Sequence, residues 1–113
     1  MEMGQAAFEA LVTEVLDDLP DEMVEGLDNV VFLVEDEHED EDLLGIYEGV
    51  ALTERGQYGF GELPDVIRVF RLPHLAECDD EEALRAEVRT TLVHEIAHFY
   101  GIDDEQLHEL GWA

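Results

Sequence analysis

Residues 79–104 read DDEEALRAEVRTTLVHEIAHFYGIDD, and the rest of the chain is best understood outward from them. Leu84, Val88, Leu92, Ile96 and Tyr100 recur every four residues, the spacing of one buried face of an α-helix. Asp79 with Glu82 forms an Asp-x-x-Glu start signal of the capping-box kind. Gly101 supplies the stop, because glycine enters the left-handed conformation that ends helices at little cost. Asp103 with Gln106 repeats the start signal, predicting a short last helix that carries Leu107 and Leu110.

Within the long helix stands His94-Glu95-Ile96-Ala97-His98. Four residues turn an α-helix by about 400°, so the two imidazoles stand one above the other on a single face. That face lies opposite the Leu84–Ile96 stripe and looks into solvent or a cleft. Both rings can reach one ion at about 2.0–2.1 Å, and Glu95, to one side of the pair, can take a proton from water held there. A catalytic site of this kind needs a third protein ligand. A glutamate on a distant later helix is hard to build with so few residues after His98. The alternative is HExxHxxGxx followed by a ligand, in which the glycine turns the chain back under the metal. Gly101 stands at the glycine position and Asp104 at the ligand position. Asp103 can serve as the helix cap and leave Asp104 free, with Asp103 and His108 as rivals for the third place. A donor for a developing oxyanion would come from Tyr47, Tyr58, Tyr100 or Arg55.

Upstream, Phe8, Leu11, Val12, Val15, Leu16 and Leu19 are spaced as one helix face that Pro20 closes. Asn29 to Val34 (NVVFLV) is a β-branched run suited to a buried strand. Residues 35–42 (EDEHEDED) form an exposed acidic loop lacking the central glycine of an EF-hand. Residues 43–52 (LLGIYEGVAL) read as a glycine-interrupted strand, followed by a turn region around Gly56, Gly59 and Gly61. Asp65 to Leu72 alternates as a strand that Pro73 ends. His38 and His74 are expected at the surface, and Cys78 as a small packing residue. A helix, several strands, then helices make an α+β chain, expected to form one domain over residues 1–113.

Charge narrows the partners. Thirty-one acidic residues face five arginines and no lysine, for a formal charge of −26. Nucleic acid is excluded as a partner, because phosphate binding needs clustered cations. An anionic membrane would repel the chain in the same way. The acid excess otherwise reads as a solvated surface, with a salty host environment as the sharper version. One cysteine precludes an internal disulfide and a two-cysteine metal site. The first residues lack the basic start and apolar run of a signal peptide, and the expected location is cytoplasmic.

At HEIAHFYGIDD the sequence resembles the minimal-zincin family of small bacterial metallopeptidase-like proteins. LLGIYEGVALTER (43–55), LPDVIRVFR (63–71) and TLVHEIAHFYGIDD (91–104) follow the family pattern in order. The resemblance implies an α+β fold with a small mixed sheet packed against the active-site helix. An edge strand would be able to pair with extended peptide. It further implies zinc as cofactor, His94, His98 and Asp104 as ligands and Glu95 as the catalytic glutamate; the substrate, which the resemblance does not supply, is expected to be a peptide or unfolded protein. The larger metzincins place a methionine turn after their ligands, whereas Met1, Met3 and Met23 all precede them here. The support under the metal therefore differs, and a shallow cleft is expected. The function expected is peptide-bond hydrolysis; the alternative is a non-catalytic zincin-like module that holds a partner.

Overall fold

A computed structural model describes residues 1–40, 42–51 and 63–112. In chain order these form α1 (Gln5–Asp17), α2 (Asp21–Val24), β1 (Val30–Glu35), β2 (Gly45–Glu48), β3 (Asp65–Phe70), α3 (Arg71–Glu77), α4 (Glu81–Tyr100) and α5 (Asp104–Leu110). The sheet has the order β1-β3-β2. β3 lies parallel to β1, with Val30 opposite Asp65, and antiparallel to β2, with Tyr47 opposite Ile67. The fold is thus α+β with a small mixed sheet, as expected. The turn around Gly56, Gly59 and Gly61 lies outside the described residues.

One core joins the helices to the sheet. The periodic face of α1 buries Phe8, Leu11, Val12 and Val15, with Leu19 just beyond it, and α4 buries Leu84, Val88, Leu92 and Ile96 without residual exposure. Against these lie Ile67 and Val69 of the central strand. Apolar burial of this kind is worth roughly 1.5–3 kcal/mol for each such side chain. Cys78 is buried within the same core, as its expected packing role requires. Among the described residues no helix is long and apolar enough to cross a membrane.

Several local expectations need correction. The Asn29–Val34 run is not a buried strand but, among the described residues, an edge strand over Val30–Glu35, with Val31 and Leu33 more than a third exposed. Its alternation is visible only once a single covered face is known. The strand expected to run to Leu72 stops at Phe70, and Arg71, Leu72 and Pro73 open α3 instead. A proline is compatible with a first helical turn, where its missing N–H would have had no partner. This extra helix carries His74 inward, so the histidine expected at the surface is fully buried. Its Nδ1 lies 2.6 Å from the Phe70 carbonyl and its Nε2 2.9 Å from Thr91 Oγ1 on α4. His38 is half-buried, its ring edge-on to Phe70. The N-cap of α4 is Asp80 rather than Asp79, its carboxylate accepting from the Ala83 N–H at 2.8 Å.

Candidate metal centre

The geometry of the site begins with a missing side chain. A Cβ on Gly45 would lie 2.6 Å from Thr91 Cγ2 and 3.4 Å from Glu95 Cγ, so only glycine lets β2 press this closely on α4. The backbone N–H of Tyr47, two residues on, then donates to the Glu95 carboxylate. Glu95 is 9% exposed, and burial pushes its carboxyl above the usual range. The nearby His98 opposes that rise most strongly, with a hydrogen bond between its Nδ1 and Glu95 Oε1 at 3.1 Å. With Nδ1 so engaged, Nε2 is the nitrogen of His98 left for another partner.

His94 and His98 lie on the exposed face of α4, one turn apart and away from the apolar stripe. Gly101 adopts a left-handed conformation (φ 73°) and closes the helix, with the Ile102 N–H returning to the Ala97 carbonyl at 2.9 Å. The chain then enters α5 through a complete capping box, in which Asp103 accepts from the Gln106 N–H and the Gln106 side chain accepts from the Asp103 N–H. Asp103 is therefore committed to the cap. Asp104, in the first turn of α5, is exposed and lines a hollow of about 590 Å³ together with His98, Gly101 and Tyr47. His94 lines a different hollow of about 250 Å³, which it shares with His108 and Trp112. α5 thus brings Asp104 to the hollow of one histidine and His108 to that of the other.

Of the expected oxyanion donors, Tyr47 reaches the His98–Asp104 hollow, and its hydroxyl donates to buried Asp65 at 2.7 Å. Tyr100 is turned away, donating to the Met23 carbonyl at 2.7 Å, and burial raises its hydroxyl above the ordinary phenol value. Arg55 and Tyr58 lie outside the described residues. Gly45 and Asp65 escape a sequence reading centred on the helix. A lone glycine within a strand pattern is the signal that points to such a close approach.

The family described as zincin-like metallopeptidase matches residues 27–112, everything from just after α2 to the end of the described chain. The chain belongs to that family. Among solved structures, a conserved hypothetical protein from Thermus thermophilus is similar in fold, with a TM-score of 0.59 and 23% identity over 96% of this chain and 97% of that one. No curated protein matches the sequence.

For a zincin-like chain the implied group is a zinc ion. The donor chemistry fits it: two imidazoles one turn apart on a solvent-facing helix surface, and an exposed carboxylate on the next helix after a left-handed turn. Among the described residues, however, no three His, Cys, Asp or Glu side chains converge closely enough to hold an ion together. His98 and Asp104 line one hollow, and His94 lines another.

Proposed function

We propose that this chain is a zinc-dependent metallopeptidase, with His94, His98 and Asp104 holding the metal and Glu95 acting as general base. The observation that carries the reading is Glu95 itself. It is a buried carboxylate between two exposed histidines, held in place by a strand that only a glycine allows so near. A mere surface acid of a helix would have neither the burial nor the backbone donor.

Zinc, when bound, supplies Lewis acidity toward a scissile carbonyl and lowers the pKa of water. The remaining chemistry belongs to the chain. His94 and His98 offer ring nitrogens, and Asp104 adds carboxyl oxygens to them. Glu95 takes the proton of the attacking water and passes it to the leaving amine; a raised carboxyl pKa suits both transfers, since it narrows the gap to neutral pH. Among the described residues β2 is a terminal strand of the sheet beside this site, and an extended peptide would approach along it. Tyr47 walls the hollow, its ring fixed through Asp65.

The test is cleavage of an unstructured peptide panel by protein loaded with zinc. Glu95→Gln is expected to lower the rate by about 10²–10⁴-fold, the span of general acid–base catalysis, while zinc stoichiometry stays unchanged. Equal behaviour of wild-type and variant across the panel, with metal bound to both, would reject hydrolysis and leave a metal-holding binding module.

A further inference from the structure

The smaller hollow beside His94 has a built character that metal binding does not explain. Its lining is Arg89, Thr90, Val93, His94, His108 and Trp112, and its volume is about 250 Å³. Val93 is buried, and the Trp112 indole, which lines the hollow with it, is held by two contacts. The indole N–H donates to Glu22 at 3.2 Å, and the ring packs against Tyr100. The apolar wall is therefore held in place.

Arg89 is the exception among the described arginines. Arg68 pairs with Glu35 and Glu48, Arg71 with Asp36 and Arg85 with Glu14. Arg89 is exposed and, among the described residues, has no ion pair or hydrogen bond through its side chain. In a chain with 31 acidic side chains, an arginine left without one stands out. A guanidinium presents a planar fork of donors matched to a carboxylate. The rest of this surface repels anions, and screening over about 8 Å at physiological salt confines that repulsion to short range. A carboxylate is therefore welcome at this rim and discouraged elsewhere.

We propose that this hollow receives the C-terminal residue of a peptide, with an apolar side chain against Val93 and Trp112 and the terminal carboxylate on Arg89. The proposal deepens the peptidase reading, since it places a substrate end next to His94, and it rests on that reading for its meaning. A glutamate side chain carries the same chemical group, so the test must separate the two sources.

Trp112 is the chain's one tryptophan and lines the hollow, so its fluorescence reports occupancy directly. Chelator-treated protein is titrated with three N-acetylated tripeptides: one ending in leucine with a free carboxylate, the same peptide amidated, and an amidated peptide ending in glutamate. The free acid is expected to bind at least about fivefold more tightly than its amide, which corresponds to one well-placed charge pair. Arg89→Gln, at an exposed position, should bring the free acid down to the level of the amide, and Arg89→Lys should keep part of the preference. Equal binding of acid and amide, a preference that survives Arg89→Gln, or no fluorescence change with any peptide would overturn the proposal. Binding of the amidated glutamate peptide as tight as that of the free acid would also overturn it, and would assign the site to side-chain carboxylates. Because neither metal nor turnover enters the measurement, an inactive enzyme leaves this result standing. Failure here likewise leaves hydrolysis untouched.

Discussion

His74 and His98 both belong to the environment of α4, and they differ in every respect that matters to a ligand. His74 is fully buried, with one ring nitrogen against the Phe70 carbonyl and the other against Thr91. The His98 side chain is 61% exposed, with one nitrogen held by Glu95 and the other open to a further partner. A histidine whose two nitrogens are both satisfied inside the core ties elements together. One held at a single nitrogen in the open is oriented and still able to bind. A carboxylate partner of this sort fixes the ring of many metal-ligating histidines. The sequence motif selects the second kind by its spacing, and only packing reveals the first.

The comparison is broken most strongly at its buried end. His74→Ala removes an imidazole that joins α3 to α4 and leaves the Phe70 carbonyl and Thr91 hydroxyl to find new partners in a dry interior. The expected loss is about 2–4 kcal/mol, combining lost hydrogen bonds with a cavity. Chemical denaturation measures it through the midpoint at constant slope. Zinc affinity per folded molecule should remain within about twofold of wild-type, since ligand loss and fold loss are separate effects here. A His74→Ala protein as stable as the parent would show that the His74–Thr91 tie is dispensable.

The exposed end gives the converse result. His98→Ala should weaken zinc binding by about a hundredfold or more, the upper range already seen for residues that merely support ligands. Its effect on stability without metal should be only about 0.5–1.5 kcal/mol, the worth of its hydrogen bond to Glu95. Competition with a chromophoric chelator and a melting curve on the same preparations check both halves. Unchanged zinc affinity would remove His98 from the ligand set and with it the present account of the site.

The contrast also explains what can be read from sequence. The α4 stripe, the Gly101 stop and the Asp103–Gln106 cap are local signals, each set by a few neighbouring residues, and all three hold in the structure. The end of β3 and the burial of His74 are not local. Residues 65–72 alternate well enough for a strand throughout, and the core space open to α3 decides where the helix begins. Pro73 is read equally well as a strand terminator or as part of a first helical turn. β1 resists reading for a related reason: NVVFLV has no polar residue after Asn29 to mark an exposed face, so edge and interior look alike. The site divides in the same way. HExxH and its glycine are visible in one dimension, whereas Gly45 and Arg89 gain meaning only from what lies across from them.

A smaller effect sharpens the comparison by titration. The Phe70 carbonyl can only accept, so the neutral ring of His74 carries its proton on Nδ1, and Nε2 accepts from the Thr91 hydroxyl. Protonating Nε2 would turn that hydroxyl toward the Glu87 carbonyl, 3.1 Å away. Burial nevertheless dominates and lowers the His74 pKa, against the Phe70 hydrogen bond and the charges of Glu87 and Glu77. The unfolded chain therefore takes up this proton first, near pH 6.5, while the folded chain does not. Stability attributable to His74 is complete above about pH 6.5 and declines as pH falls from there toward the lowered folded value, by at most about 1.4 kcal/mol per pH unit. His74→Gln, which cannot titrate in this range, should flatten the slope of stability between about pH 6.5 and 5, since the other histidines contribute alike to both proteins. Parallel pH profiles for the two proteins would mean that His74 is free to charge inside the fold. The distinction between a locked and an available histidine would then fail at its buried end.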